Sequence, residues 1–342
     1  MDRLHAATMP TLHFIGVSTR QSSIMTVFPR WAEALGLGSC AINGIDLKLG
    51  APAQAYRDVV CFIRDDPQSM GALVTAHKID LLHASADLFD RLDPHAESLH
   101  EVSCLSKRDG RLIGHAKDPI SARLALEAIV PADHWRRSAA GGAGSDVFLL
   151  GAGGATTAIT WNLMRPQHGA NRPRRIVVSD INDARLDGLR RFHGSLGSDI
   201  PIDYVLAAST EQNDEILHAL PAGSLVVNAT GLGKDRPGSP LGADARFPRD
   251  GIVWELNYRG DLLFLDRAEA QAAHEGLTIF DGWNYFLHGW TQVISEVFAV
   301  EIPPSGAIFE KLSALAGGAP RARSGAGAGA RSDAKARGGF ST

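Results

Sequence analysis

The sequence predicts an α/β protein of two units with a cleft between them, and three observations carry the prediction. From Val147 the chain reads V-F-L-L-G-A-G-G-A-T-T-A-I, an uncharged apolar run, a glycine turn and the start of a helix, and a second apolar run, R-R-I-V-V-S-D, ends in Asp180. Upstream, short apolar runs alternate with amphipathic segments over residues 11–129, the pattern of a separate α/β unit. Between the two, residues 131–146 are polar and glycine-rich and read as a flexible surface connection.

The second unit is expected over residues 147–282. Val147–Leu150 carries no charge, as a strand covered on both faces requires. Gly151 allows the tight turn and Gly153 lets the backbone approach an anion. Ala152, Gly154 and Ala155 complete a turn whose helix N–H groups face that anion. Asp180 stands where a carboxylate accepts hydrogen bonds from both ribose hydroxyls of an adenosine. The gap from turn to acid exceeds the usual ~20 residues. The surplus lies in residues 165–175, whose prolines and glycine mark a lengthened loop. Strand, turn, helix, strand and acid together define a Rossmann doubly wound dinucleotide-binding domain.

The rest of that unit follows the same rhythm. Residues 184–192 and 211–219 read as helices, and 203–207 as a strand. Residues 224–229 form a strand opening into T-G-L-G, where Asn228, Thr230 and Gly231 face the nicotinamide end. Residues 251–256 and 277–280 are strands around a helix at 268–275. Asp281 and Gly282 open a last aromatic helix, 283–300, with Gly282 counted in the cofactor turn. Residues 314–342 are rich in alanine, glycine and arginine and read as a disordered, solvated tail.

The first unit is expected over residues 1–130. Strands are read at 11–17, 40–47 and 70–75, and helices at 25–35, 53–64, 79–92 and 120–129. Residues 100–105 and 111–115 flank K-R-D-G, with Asp109-Gly110 at a hairpin turn. The strand at 70–75 delivers T-A-H-K to a strand end, where active sites of α/β sheets collect.

Composition removes other classes. The 342 residues are 44% hydrophobic and 21% charged, with a net charge of -4, which argues against a general nucleic-acid or membrane-surface role. No apolar run reaches the ~18 residues of a membrane span, and the N-terminus lacks a signal-peptide core. Three scattered cysteines fit reduced thiols in a cytoplasmic protein, and the histidines show no metal-ligand spacing. The expected partner is a small-molecule substrate bound by a monomer or homodimer, with no metal, no nucleic acid and no membrane.

In order, the motifs resemble the shikimate/quinate dehydrogenase family over roughly residues 12–300. That family carries a glycine-then-serine motif, N-V-T-x-P-x-K, A-V-N-T, an acidic-glycine hairpin and N-T-D. G-A-G-G-A, N-A-T-x-x-G, D-x-x-Y and D-G-x-x-M-L follow. Here stand G-V-S-T-R-Q-S-S-I, A-L-V-T-A-H-K, E-V-S-C, R-D-G and H-A-K-D, then G-A-G-G-A, N-A-T-G-L-G, W-E-L-N-Y and D-G-W-N-Y-F-L-H. The resemblance implies an N-terminal substrate-binding domain on which the last helix, 283–300, packs back, an active site in the interdomain cleft, and reversible hydride transfer between NAD(P) and a cyclic hydroxy acid. Lys78 matches the family's catalytic lysine and Asp118 its partner. The chemistry suits them, since oxidising a secondary alcohol needs a base for the hydroxyl proton. Burial and the carboxylate pull the lysine's pKa in opposite directions.

The departures fall on the substrate side. The family's asparagine before V-T is Leu73, and the segment from Thr75 to Lys78 is one residue short and lacks its proline. The A-V-N-T asparagine is Ser103, the N-T-D asparagine is Ala116, the second serine is Ile24 and the late glutamine is Gly289. The resemblance places Ser22, Ser23, Thr75, Ser103, Tyr258 and His288 around the substrate, with Arg20 nearby. A pocket so rebuilt implies a related hydroxy acid or a less polar alcohol. NADP-using members carry N-R-T where S-D-I stands here, so Asp180 implies NAD, with NADP open through Arg174, Arg175 or Arg185. A nucleotide sensor without turnover and a methylene-tetrahydrofolate dehydrogenase-like enzyme stay open as alternatives.

Overall fold

The computed structural model describes residues 4–140, 142, 144–234, 236–317 and 323–324. Its first unit begins with β1 (Thr11–Gly16), α1 (Ile24–Ala34), β2 (Ala41–Asp46), α2 (Ala53–Asp65), β3 (Ser69–Val74) and α3 (Lys78–Ser85). It continues with β4 (Arg91–Leu92), α4 (Pro94–Leu99), β5 (Cys104–Arg108), β6 (Arg111–His115) and α5 (Asp118–Ile129). The sheet order is β2-β1-β3-β5-β6-β4. β1 runs parallel to β2 and β3, and it is buried along its length because helices cover both faces, Leu12 and Phe14 clustering with α1 and Ile15 with α2. β5 runs antiparallel to β3 and β6. Asp109 and Gly110 join β5 to β6 with φ of 51° and 75°, the paired positive values of a two-residue hairpin turn.

Two readings of this unit need correction. The helix expected over residues 79–92 stops at Ser85, and Arg91–Leu92 instead pairs with β6. The first hairpin arm lies at Cys104–Arg108, because residues 94–99 form α4. The signal was D-P: the Asp93 side chain caps the helix by accepting the Ala96 N–H at 2.7 Å, and Pro94 fits the first turn.

The second unit comprises α6 (His134–Ala140), β7 (Val147–Leu150), α7 (Gly154–Leu163), β8 (Ile176–Asp180), α8 (Asp183–Ser195), β9 (Ile202–Leu206) and α9 (Thr210–His218). After these come β10 (Leu225–Asn228), β11 (Ile252–Glu255), α10 (Leu263–Glu275), β12 (Thr278–Phe280), α11 (Trp283–Phe298), α12 (Ala307–Leu315) and β13 (Arg323–Ser324). The order β13-β12-β11-β10-β7-β8-β9 is parallel throughout except for β13. Winding reverses between β7 and β10, so the glycine turn after β7 opens at the switch point where α/β sheets bind ligands.

The connection over residues 131–146 is more structured than a flexible linker. His134–Ala140 is helical, Trp135 is buried against α5 and β7, and His134 Nε2 lies 2.8 Å from the Gly223 carbonyl. Asp146 is fully buried and accepts from Arg174 and Arg175. Residues 141 and 143 lie outside the described residues. α12 also lies where no element was expected, although Ile308, Phe309, Leu312 and Leu315 have helical spacing. The expected tail from residue 314 begins inside this helix, and Arg323–Ser324 pairs with β12. The remaining tail residues, 318–322 and 325–342, lie outside the described residues.

α11 crosses back to the first unit and packs on α5, β3 and β5. Trp283, Phe286 and Trp290 share one apolar cluster with Phe14, Ile24 and Leu73. Glu296 on α11 accepts the Lys117 ammonium at 2.7 Å. Among the described residues no helix is long and apolar enough to cross a membrane, and no group of His, Cys, Asp or Glu is placed to hold a metal ion.

Candidate active site

Two helix N-termini meet at the cleft. α5 and α7 pack side by side, joined by the Asn162 amide donating to the Pro119 carbonyl at 2.8 Å. Asp118 opens α5 and Gly154 opens α7. Lys78 opens α3 and reaches across to Asp118, donating to Oδ2. Their side chains are only 17% and 16% exposed, so little solvent screens the pair.

The shortened segment before Lys78 is held by an unusual backbone. Thr75 N–H donates to the Ile15 carbonyl, Ala76 takes φ of 59°, and His77 is fully buried with Nδ1 3.2 Å from the Tyr56 hydroxyl. A left-handed alanine is how a loop one residue short turns its lysine into the cleft. Asp118 is fixed from the other side. Ser103 Oγ accepts the Lys117 N–H at 2.7 Å, and Asp93 accepts the Ala116 N–H at 3.3 Å. Burial pulls the Lys78 pKa down, but the charges of Asp118 and Glu101 outweigh it and hold the lysine above its usual range, as a cation.

Glu101 and Tyr285 join this pair, and the sequence reading missed both. Glu101 is 3% exposed, its Oε1 has no hydrogen-bond partner, and its Oε2 lies 3.6 Å from where a Cβ on Gly154 would sit. Burial pushes its carboxyl up to about 7, against the pull of the Lys78 charge. Tyr285 on α11 is pushed well above its usual range by burial, with Asp118 and Glu101 adding to the effect. The signal for Glu101 lay in E-V-S-C, where a charge stands opposite the alanine of A-V-N-T. One turn along α11 from Tyr285, a Cβ on Gly289 would meet nothing within 4 Å, so the helix leaves room there.

The nucleotide side gathers its expected residues. Gly151 has φ of 101°, and a Cβ there would meet the Ala229 carbonyl oxygen at 2.9 Å, so only glycine fits between β7 and β10. A Cβ on Gly153 would point into open space before the N-terminus of α7. Asp180 is 8% exposed and accepts N–H groups of Ala152 at 2.7 Å and Asn182 at 2.9 Å, which locks its carboxylate beside the turn. Asn228 accepts Thr230 N–H and Oγ1–H at 3.1 and 2.7 Å and donates to Glu255 at 2.6 Å. That buried network shapes the loop carrying Gly231, whose φ is 73°. Gly282 caps α11 against the Leu256 carbonyl, which a Cβ would strike at 1.9 Å. Open space at a helix N-terminus, a glycine turn and a fixed carboxylate are the parts a dinucleotide requires, and the residues fit one.

Other expected site residues are placed differently. Ser22 and Ser23 are half-buried at the start of α1, where Thr19, held by Asp46, fixes the loop. Arg20 is exposed. Tyr258 packs against Phe286 at 4.4 Å between ring centroids and against Trp283 at 5.8 Å. His288 is buried and stacked 4.7 Å from Phe309 of α12, and burial lowers its pKa to about 4. Arg174 and Arg175 are bonded to Asp146 at the start of β8, the end of the strand opposite Asp180, so neither reaches a ribose there.

A doubly wound sheet with a dinucleotide turn, facing a half-buried lysine–aspartate pair, defines a two-domain nicotinamide-dependent dehydrogenase. A shikimate dehydrogenase (NADP(+)) of Methylobacterium radiotolerans is 30% identical over 283 residues, covering 82% of this chain and 88% of the relative. One from Sphingopyxis alaskensis is 27% identical over 314 residues, covering 88% and 95%. The solved shikimate 5-dehydrogenase of Listeria monocytogenes, in complex with shikimate and NAD, superposes with a TM-score of 0.64 at 21% identity, covering 92% of this chain and 99% of that one. A scan against protein-family models finds no match. The chain belongs to the shikimate dehydrogenase family, and an oxidoreductase stands in place of the nucleotide-sensing alternative.

Proposed function

We propose that the chain catalyses reversible hydride transfer between a nicotinamide dinucleotide and a ring hydroxyl of a cyclic hydroxy acid. The substrate is shikimate, quinate or a related alcohol, and the product is the matching keto compound. The observation that carries this reading is the Lys78–Asp118 pair, shielded from water beside the N-terminus of α7. Lys78 handles the hydroxyl proton, and Asp118 orients the lysine and accepts a hydrogen bond from the substrate.

The bound nicotinamide supplies the hydride acceptor or donor. The N–H groups at the start of α7, with Gly151, Ala152, Gly153, Gly154 and Ala155, hold its pyrophosphate. Thr230, Gly231 and the Asn228 network hold the nicotinamide end. Asp180 takes the adenosine ribose, and its fixed carboxylate repels a 2′-phosphate, which favours NAD. The two named relatives are NADP(+) enzymes, so this preference separates the chain from them. Arg185, exposed in the first turn of α8, is the one arginine of the three considered that stands near Asp180.

On the substrate side, Ser22, Ser23 and Thr75 offer hydroxyls, and Tyr285 and the space at Gly289 form the wall on α11. Ile24 and Leu73 are apolar and buried where the family resemblance has polar groups. Of the three, this favours a related alcohol less polar than shikimate. Absorbance assays with NAD and NADP against shikimate, quinate and related cyclic alcohols test the reading. Turnover with NAD supports it; turnover with NADP alone removes the role given to Asp180. Nucleotide binding by calorimetry without any turnover points to another substrate.

A further inference from the structure

We propose that Glu101 is the proton acceptor behind Lys78: in oxidation the lysine passes a proton to Glu101 and takes up the substrate's hydroxyl proton, and in reduction Glu101 returns it. This rests on the reading of Lys78 as the proton-handling group.

The need for such a partner comes from the ion pair. Lys78 lies against Asp118, and the two acidic neighbours hold it as an ammonium. An ammonium has no lone pair and accepts nothing. A lysine in this state serves as a base only if a second group first relieves it of a proton. Asp118 is a poor choice, because its charge is what keeps the lysine in place.

Glu101 has the required placement. It is 3% exposed, its neighbour Val102 donates its N–H to the Lys78 carbonyl at 3.2 Å, and its Oε2 lies beside the N-terminus of α7 at Gly154. The charges acting on it are those of Lys78 on α3 and Asp118 on α5, and its own charge acts on Tyr285 of α11. Its Oε1 has no hydrogen-bond partner. A buried carboxylate kept only for structure is expected to have donors on its oxygens, because an ionised one without them is costly. One that alternates between acid and anion leaves an oxygen available for the proton. Burial also raises its proton affinity to about 7, so near neutral pH both forms are populated.

The step balances. Before it, Lys78 is an ammonium and Glu101 a carboxylate. An N–H bond of Lys78 breaks and its proton ends on Glu101 through one bridging water, since among the described residues no ion pair joins the two side chains. The neutral amine then takes the hydroxyl proton as the carbinol C–H bond gives its hydride to the oxidised nicotinamide. The products are the ketone, the reduced nicotinamide, Lys78 again as ammonium, and Glu101 as carboxylic acid. The cation lost from the nicotinamide and the anion lost from Glu101 cancel.

Glu101 acts through Lys78, so its test must read ionisation as well as rate. Glu101→Gln keeps the shape and removes the acceptor. With shikimate or quinate as probe, it is expected to lower the oxidation kcat about 10²–10³-fold near neutral pH with KM little changed. The rise of kcat through about pH 7 should vanish, and activity should return at higher pH, as Lys78 loses its own proton. Glu101→Asp should restore part of the rate.

Carboxyl ¹³C NMR of the nucleotide-bound protein gives a readout that needs no turnover. Wild type should show a glutamate titrating near 7, apart from Glu255, which burial pushes up to about 8. That signal should be absent in Glu101→Gln and displaced upward in Lys78→Ala, which removes the cation holding it down. A wild-type rate and pH profile in Glu101→Gln overturns the proposal, as does a Glu101 signal unmoved in Lys78→Ala. Full turnover by Lys78→Ala would instead overturn the reading of the lysine itself.

Discussion

The two ends of the cleft are built on different principles. At the nucleotide end the contacts belong mainly to the backbone: a glycine turn, the N-terminus of α7, and a carboxylate pinned by two N–H groups. At the proposed substrate end they belong to side chains delivered by four separated segments, α1, β3 with α3, α5 and α11. Backbone recognition tolerates little change, since a methyl on Gly151 meets the next strand's connection. Side-chain recognition is rebuilt by replacing single residues. Ile24 and Leu73, two of the departures, share one apolar cluster, while the Lys78–Asp118 charge pair is present. On the proposed reading, the chain keeps its reaction chemistry and its dinucleotide turn while changing what surrounds the reacting ring.

That contrast breaks most sharply at Asp118. Asp118→Asn should lower kcat about 10²–10³-fold with dinucleotide affinity unchanged, because it touches only the substrate end. It should also let the Lys78 pKa fall, moving the residual pH profile to lower pH. Steady-state kinetics with calorimetry check both.

Stability responds to pH at both ends. His193 in the nucleotide unit and His288 on α11 are buried, each with its pKa lowered to about 4. Their folded values lie below the unfolded one, so the unfolded chain binds more protons in between. Stability is full above about 6.5 and falls as pH drops toward 4, by up to about 1.4 kcal/mol per pH unit for each histidine. Urea unfolding near neutral pH and near about pH 5, with His288→Phe alongside, should show a shallower loss in the variant.

Gly151→Ala should act at the nucleotide end alone. It imposes an unfavourable backbone and a contact with Ala229, for about 2 kcal/mol of stability and a matching loss of dinucleotide affinity. Thermal unfolding and calorimetry measure the two losses. The smallest effect is at Asp180. Asp180→Ser should weaken NAD and strengthen NADP, changing their affinity ratio about tenfold, roughly 1.4 kcal/mol, by calorimetric titration.

The same contrast explains what was legible in the sequence. Val147 to Asp180 is one contiguous supersecondary unit, so its glycines and acid read directly from spacing. Lys78 and Asp118 are forty residues apart but each sits in a motif at a strand end, and the fold brings them together. Glu101 and Tyr285 were passed over because neither position carries a polar motif residue in the family pattern. Their meaning appears only when α11 crosses back over α5. α12 was lost to the low-complexity run that follows it, and α6 to the glycines after it. In both cases composition masked a helix anchored by tertiary contacts, Trp31 to the Leu312 carbonyl and Trp135 to the core.

The most direct test of the account is a side-by-side initial-rate measurement of nicotinamide reduction by wild type and Lys78→Ala, with saturating dinucleotide and a turned-over cyclic alcohol. The account predicts that the variant binds the dinucleotide as wild type does and loses about 10²–10⁴-fold in kcat. A variant that turns over at the wild-type rate would contradict it, and the proton would then have to leave by another group.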